Sequence, residues 1–393
     1  MLINSTISFV IPTRNRSEFI QPLINRCLEI NAAKIIITDN SDENTLENLV
    51  NSYNSERIIY KFYQHNLSVI ENFANALQYV DTTFVCYLGD DDMIGPGIEE
   101  CLNIMLENEI DILNVDYVNK PLQYFWPNNP SKRWGDLGGK LFFSNYDGYF
   151  KKNNLRKAKK IAKLNFGLGP LLLPRLYLGI VRTNLIYKIL NKKKRIFGGY
   201  SPDIFSSYAL SIECSNPYII DYPIIIPGAC SKSTSSARAN RSDVGDLLDN
   251  DHLGRFKNVQ WDKRIPEFYS PYNVWAATYL IALEENNDNI SAFSFSHLYA
   301  LNIINSNFSL LKVKYAINAL SKDKKLRKIL IYVFILLNIF KILSIKLKNI
   351  FKILINKRPG GAKFEFNKNN NTYNAFKTIN NHLLDQNIKI IFK

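Results

Sequence analysis

Phe84-Val85-Cys86-Tyr87-Leu88-Gly89-Asp90-Asp91-Asp92 is an unbroken apolar run that opens through a glycine onto three consecutive carboxylates. A strand that is apolar at every position has both faces covered, the pattern of an inner strand in a parallel sheet with helices on each side. In open sheets of that kind ligands lie beyond the carboxyl ends of the strands, which is where Asp90, Asp91 and Asp92 fall. Three adjacent like charges repel, so a site that gathers them needs a cation. Carboxylates are hard oxygen donors suited to Mg²⁺ or Mn²⁺, ions commonly held by one or two carboxylates together with substrate phosphates. The plainer alternative is a solvated acidic turn at a helix N-terminus.

Around this run the first 120 residues alternate β-rich and helical patterns. The periodicity predicts strands over residues 7–11, 34–38, 57–63, 84–88 and 111–115, and helices over 18–29, 45–53, 69–79 and 97–108, the order of a parallel α/β sheet. Residues 121–148 turn to aromatics, Pro, Asn and Gly, and are expected to form a long irregular loop near a site. A basic helix over 155–164 follows, then an apolar stretch over 171–189, the turn Gly198-Gly199-Tyr200-Ser201-Pro202-Asp203 leading into a helix, and a polar loop over 231–241. From about residue 273 the pattern is mostly helical.

With 393 residues, 46% of them hydrophobic, the chain can bury a substantial core. Its five cysteines form no CxxC pair and its four histidines no HExxH spacing, which argues against a zinc site or disulfide scaffold and for a reducing compartment. Met1-Leu2-Ile3-Asn4-Ser5 runs straight into the first strand without the pattern of a cleavable leader, so the chain is expected not to be secreted. The net charge of +14 is concentrated. Residues 151–195 hold fourteen Lys or Arg and no acid, and residues 312–358 hold thirteen against Asp323 alone. Compositional bias toward Lys would enrich the whole chain and would not strip acids from two segments.

Residues 329–345 form an apolar stretch of 17 that carries Asn338 and Lys341, short of the roughly 20 apolar residues of a membrane span. Continued as a helix, it sets Lys341, Lys348, Asn349, Lys352 and Asn356 against Ile342, Leu343, Leu347, Ile350, Phe351 and Leu354. That division suits a helix lying in the plane of an anionic membrane surface, and a helix packed on the protein body is the alternative.

Val10-Ile11-Pro12-Thr13-Arg14-Asn15-Arg16, Thr38-Asp39-Asn40-Ser41-Asp42 and Gly89-Asp90-Asp91-Asp92 follow the first, second and fourth strands. In order and spacing they resemble the family 2 glycosyltransferases, which have a GT-A fold. The resemblance implies that Pro12, Thr13 and Arg14 line a nucleotide pocket and that Asp39 contacts the base. It further implies that Asp90 faces the ribose or sugar and shares in the metal site, that Asp92 binds the metal, and that Asp91 is nearby. Asn66 and Asn72 fall where relatives carry residues close to the nucleotide, with helix capping as the alternative. Many relatives have Asp-Asp-Gly-Ser where this chain has Thr38-Asp39-Asn40-Ser41, which leaves the base preference open.

Gly199-Tyr200-Ser201-Pro202-Asp203 looks like a Ser-Pro-Asp variant of the element that supplies the catalytic base in this family and nominates Asp203, with Asp116, Asp136 and Glu213 as rivals. Gly228-Ala229-Cys230-Ser231-Lys232-Ser233-Thr234 resembles the same subgroup, and Lys232 is a candidate for diphosphate or acceptor contact. His252 and Trp261 are candidates for the acceptor side.

The expected fold class is α/β, a GT-A sheet flanked by helices with a helical, basic C-terminal extension. Residues 1–120 would bind the nucleotide-sugar, 121–230 the acceptor, 231–310 would form a helical extension and 311–393 a basic membrane-associating tail. The expected activity is an inverting, metal-dependent transfer from a nucleotide-sugar, a UDP-sugar first among them, to a lipid-linked glycan of O-antigen or capsule type. The partners would be that donor, a lipid-linked acceptor and an anionic membrane surface at the cytoplasmic face, without nucleic acid. A catalytically inactive sugar-nucleotide-binding scaffold is one alternative. A nucleotidylyltransferase is another, although the turn after Ile11 lacks the Gly-rich phosphate loop expected of it. A processive synthase would be expected to carry several spans and a QxxRW motif, which this chain lacks.

Overall fold

The computed structural model describes residues 6–64, 66–131, 135–233, 236–237, 243–247, 249, 253–256, 258–305, 310–356 and 358–393. The strands are β1 (Ile7–Thr13), β2 (Ala33–Asp39), β3 (Ile58–Phe62), β4 (Phe84–Tyr87), β5 (Met93–Ile94), β6 (Ile112–Val115), β7 (Gln123–Phe125) and β8 (Pro130–Ser131). They continue with β9 (Gly135–Asp136), β10 (Leu141–Phe143), β11 (Phe150–Lys152), β12 (Gly179–Arg182), β13 (Pro217–Ile220), β14 (Ile225–Ile226), β15 (Gly228–Ala229) and β16 (Phe364–Phe366). The main sheet runs in the order β11-β13-β6-β12-β4-β1-β2-β3. β1 to β4 lie parallel where they pair, and β12 runs antiparallel between β4 and β6. The order reverses at β1, with β2 on one flank and β4 on the other, and this is the switch point at which such sheets open a crevice.

Register carries the chemistry to that crevice. Val10 pairs with Tyr87 and Thr13 with Asp39, and Leu88 N donates to Val10 O, so residues 88–92 run beside the end of β1. The inner strands β1 and β4 are buried at every residue. Helix α1 (Ser17–Glu29) covers one face through Ile20, Leu23, Ile24 and Cys27, the spacing of a single apolar stripe. The remaining helices of this part are α2 (Glu47–Ser52), α3 (Val69–Ala76) and α4 (Ile98–Glu107). Ser68 and Glu71 form a reciprocal capping box that fixes where α3 begins.

Residues 121–148, expected as an irregular loop, instead supply β7 and β10 of a second sheet ordered β15-β7-β10-β16. Leu122, Tyr124 and Trp126 face the main core while Phe125 faces a separate cluster with Phe142 and Ala229. That is a period-two strand signature, and the surrounding Pro, Asn and Gly obscured it.

A helical body packs beside the sheets. It contains α5 (Leu155–Leu164), α6 (Thr183–Lys193), α7 (Pro202–Glu213), α8 (Pro271–Glu284), α9 (Ala292–Asn305), α10 (Leu310–Ser321) and α11 (Lys325–Asn356). α11 is 32 residues long. Ile331, Ile335, Asn338 and Ile342 bury one stripe of it in the helical core, and Lys341 donates to Asn165 Oδ1 at 3.0 Å. Ile329, Leu336, Leu337, Phe340, Leu347, Phe351 and Leu354 are exposed. Lys325–Phe351 is long and apolar enough to cross a membrane by length and composition, whereas the apolar stretch read from sequence is too short. Only 22% of its most apolar window is buried against the protein.

The expected tail over 311–393 is not one unit. β16 pairs with β10, α12 (Thr372–Asp385) buries Ala375, Ile379 and Leu383 in the core under α1, and Ile391 bridges to Tyr149.

Candidate active site

Asp90, Asp91 and Asp92 occupy three different environments. Asp92 is enclosed: Oδ2 accepts from Gly89 N at 2.7 Å and Tyr177 OH at 3.0 Å, and Oδ1 accepts from Gly228 N at 2.8 Å. Burial, followed by the Asp91 charge, pushes the Asp92 carboxyl up to about 8. A carboxyl whose two oxygens take three protein hydrogen bonds is a bracket for this turn. The expected role of Asp92 as metal ligand would have to share these oxygens with the bracket. Gly89 serves the same bracket, because a Cβ there would stand 2.7 Å from the Tyr177 hydroxyl.

Asp90 and Asp91 face a common cation. Asp90 Oδ2 accepts from Thr13 Oγ1 at 2.6 Å, while its Oδ1 lies 3.2 Å from Arg16 Nε. Asp91 Oδ2 accepts from Cys230 N at 3.0 Å and its Oδ1 lies 3.7 Å from an Arg16 terminal nitrogen. Burial pushes Asp90 up to about 6 against the pull of Arg16. Burial would lower Arg16, but Asp90 and then Asp91 outweigh it and hold the guanidinium above its ordinary range. Among the described residues no group of three or more His, Cys, Asp and Glu forms a protein-only metal cage. Asp90 Oδ1 makes no hydrogen bond, and it and Asp91 Oδ1 both face the Arg16 guanidinium. That pair suits an ion of the kind completed by substrate phosphates.

The strip β15 and the residue after it close the turn from above. Gly228 approaches so tightly that an added Cβ would lie 1.6 Å from Asp91 O, and Trp126 Nε1 donates to the same carbonyl at 2.9 Å. Lys232, a candidate for diphosphate or acceptor contact, is tied to Glu18 Oε1 at 2.7 Å and to Asn15 O at 3.1 Å. It straps this segment to the start of α1. Arg16, Trp126, Tyr177 and the backbone of Gly228 and Cys230 were not singled out as site residues from sequence. Arg16 closes the motif Arg14-Asn15-Arg16, and the glycine at 228 was the visible signal for close backbone approach.

Beyond β1 and β2 lies a cluster of polar side chains. Pro12 is buried within β1 and pairs with Thr38. Asp39 is fully buried, accepting from Ser41 N at 2.8 Å and Tyr60 OH at 2.9 Å. Arg14 donates to Asn66 Oδ1 at 2.7 Å and pairs with Asp42 at 2.9 Å. Asn72 ties the two strand ends by donating to Thr38 O at 3.2 Å. Thr38 Oγ1, Asn72 Oδ1 and Arg14 Nε are buried without a hydrogen bond, as is Asp90 Oδ1. Buried polar atoms are nearly always paired, so a cluster of orphans at one strand edge is what a polar ligand would satisfy.

On the other flank Phe197 packs edge-on against Tyr87 and Phe73 and leads the chain into Asp203, at the first turn of α7. Ser201 Oγ donates to Asp203 Oδ1. Asp116, at the end of β6, is held by Asn119, and both Asp116 and Asp203 act electrostatically on Arg175. Asp136 is exposed in β9, and Glu213 is paired with Lys188 and Lys192 at the far end of α7, so neither of these two rivals joins the group around Arg175. Trp261 packs on Tyr200 and donates to Ile265 O at 3.2 Å. His252 and Thr234 lie outside the described residues.

Residues 8–164 match the sequence profile of glycosyl transferase family 2. Over 150 residues the chain is 27% identical to abequosyltransferase RfbV of Salmonella typhimurium, an alignment covering 35% of this chain and 44% of that protein. Among solved structures, residues 1–349 of S. aureus TarS in complex with UDP-GlcNAc align with 85% of this chain and 89% of their own, at a TM-score of 0.51 and 13% identity. At that identity the likeness is one of fold, and the fold is GT-A.

Proposed function

Starting from the family 2 glycosyltransferase match over residues 8–164, we propose that the chain is an inverting, metal-dependent transferase. It moves a sugar from a nucleotide-sugar to a lipid-linked glycan acceptor in bacterial surface-polysaccharide synthesis. The observation that carries this reading is the pair Asp90 and Asp91 held around Arg16 beside a cluster of unpaired buried polar atoms at the β1/β4 switch point. In this reading Asp39 and Asn72 contact the base and ribose of the donor, and Pro12, Thr13 and Arg14 line the nucleotide pocket. Asp90 and Asp91 would hold Mn²⁺ or Mg²⁺, which supplies charge screening for the donor diphosphate. Asp203 takes the proton from the acceptor hydroxyl; Ser201 and the α7 N-terminus fix its direction. TarS was solved with UDP-GlcNAc, which makes UDP-sugars the first donors to test.

Calorimetry of UDP binding with and without Mn²⁺ tests the donor half. Ion-assisted affinity in the wild type that disappears in Asp91→Asn is the expected result. A protein that binds no nucleoside diphosphate more tightly with metal would sink the enzyme reading. For the base, Asp203→Asn is expected to lower kcat by about 100-fold or more with little change in donor KM. Near wild-type turnover in that variant would reassign the proton acceptor.

The membrane half of the reading rests on α11 and its neighbours. Leu310, Leu311 and Tyr315 of α10, which packs on α11, add exposed apolar area, and Lys322, Lys324, Lys325, Arg327 and Lys328 cluster where the two helices join. An apolar strip rimmed by lysines suits the interface of an anionic leaflet at the cytoplasmic side, where a polyprenyl-linked acceptor would be presented.

A further inference from the structure

Arg175 is a cation in a cleft with no ion-pair partner among the described residues. Its side chain lines a cleft with Asp116, Asn114 and Asn153, at the carboxyl ends of β6 and β13. Of its guanidinium N–H groups, one donates to Leu171 O at 3.1 Å, and the guanidinium carbon sits 5.6 Å from the Tyr117 ring centre. A guanidinium has five donors in a fixed fork, so most of this one's capacity is unspent. The neighbouring carboxylates are engaged elsewhere: both oxygens of Asp116 accept from Asn119, and Asp203 accepts from Ser201.

The position of Arg175 is built. Asn114 grips its backbone from both sides, with Arg175 N donating to Asn114 Oδ1 at 3.0 Å and Asn114 Nδ2 donating to Arg175 O at 3.1 Å. Gly179 makes room for that grip, since a Cβ there would stand 2.0 Å from Asn114 Nδ2 and 2.2 Å from Arg175 O. Burial lowers the Arg175 pKa, the sign of a charge that has lost water without gaining a full counterion. Such a group is held ready for an anion, and a planar fork matches phosphate oxygens two at a time.

We propose that Arg175, clamped by Asn114, is an oxyanion-binding residue of the cleft at the ends of β6 and β13 that takes a phosphate group during the reaction. This rests on the transferase reading above and adds a phosphate contact that the acidic turn does not supply. Two sources share that chemistry, the diphosphate of a lipid-linked acceptor and the diphosphate of the donor. Arg175 lines the cleft at the β6 and β13 end of the sheet, with β12 between that end and the acidic turn after β4, and this separation favours the acceptor.

The test titrates inorganic phosphate into the full-length chain, first alone and then saturated with UDP, in the wild type, Arg175→Gln and Arg175→Lys. Phosphate affinity in the UDP-saturated wild type that falls at least about tenfold in Arg175→Gln, with partial recovery in Arg175→Lys, supports the acceptor source. Phosphate binding that UDP abolishes, together with weaker UDP binding in Arg175→Gln, supports the donor source. Equal phosphate and UDP affinities in wild type and Arg175→Gln overturn the proposal. Should Arg175→Gln fail to fold, phenylglyoxal labelling of the wild type decides: phosphate must slow modification of the peptide carrying Arg175, and unchanged labelling overturns the assignment. Failure of the transferase reading appears separately, as absence of UDP binding in the wild type.

Discussion

The three carboxylates at the end of β4 are chemically alike and structurally unlike, and substitution should separate them. Asp92→Asn keeps one acceptor oxygen but sets an amide N–H against the Gly89 or Gly228 N–H, so it is expected to cost about 1–3 kcal/mol of stability, read as a lowered Tm. Asp91→Asn should leave Tm nearly unchanged and remove metal-assisted UDP binding. The reverse pattern would return the metal to Asp92. A second prediction concerns His297, buried in the helical body, whose Nδ1 donates to Phe166 O at 3.0 Å. Burial lowers its pKa from 6.5 to about 4. Below 6.5 the unfolded chain takes up a proton that the folded chain refuses, so this contribution is present at pH 7 and is lost as pH falls toward 4. Denaturant unfolding should show the stability gap between wild type and His297→Gln shrinking by about 3 kcal/mol from pH 7 to pH 4. A gap independent of pH would mean that the imidazole titrates normally. That a carboxylate cluster ends this strand was legible in the sequence, because an apolar run opening onto acids needs no tertiary information. Which oxygen is bonded within the protein was not, because that depends on Gly228 and Tyr177, 136 and 85 residues away in the chain.

Among the elements, the strands and helices of the first 120 residues followed their periodicity closely, since each buries a face that its own spacing defines. β7 and β10 did not stand out, since three-residue strands carry too few alternations to outweigh neighbouring Pro and Gly. Their position matters, because β15 pairs with β7 and in that position brings the Gly228 and Cys230 N–H groups to Asp92 and Asp91. Gly228→Ala places a methyl inside the Asp91 carbonyl contact and should destabilise the protein by more than about 3 kcal/mol, or, if the fold survives, weaken UDP binding by displacing the strip. Wild-type Tm and UDP affinity in that variant would show that the approach is looser than it stands here. For α11, the helical period was legible and its division of labour was not: the stripe at Ile331, Ile335, Asn338 and Ile342 packs inward, leaving Leu336, Leu337 and Phe340 outside. Leu337→Asp with Phe340→Asp should leave solution UDP binding intact and reduce co-flotation with anionic liposomes several-fold. Flotation equal to the wild type would remove α11 from the membrane reading.

In the whole molecule the chain leaves the GT-A body for its helical body and then returns. The sheet is nucleated early in the sequence, yet β10 finds its outer neighbour only at Phe364–Phe366, and α1 is covered by α12 near the C-terminus. Phe143 shows how thoroughly the return is built in, since it stacks on Phe366 with ring centres 5.5 Å apart and meets His382 at 5.0 Å. Sequence periodicity could not reveal this closure, because a three-residue strand and one amphipathic helix look the same whether they trail into solvent or complete a distant core. The consequence separates two kinds of truncation. Ending the chain before residue 358 strips β16 and α12 from the body that carries Asp90 and Asp91, exposing Phe143 and Leu141 and removing Phe376 and Tyr373 from Arg26 and Glu29 of α1. Uncovering that much apolar surface costs several times the roughly 1.5–3 kcal/mol of one large side chain, a large fraction of a domain's total stability. A chain ending at residue 357 is therefore expected to be insoluble or to lose UDP binding along with its cooperative thermal transition. A variant in which only the exposed face of α11 is made polar should keep both. If the truncated chain instead melts cooperatively at the wild-type temperature and binds UDP normally, the C-terminal return is an ornament on a body that stands without it.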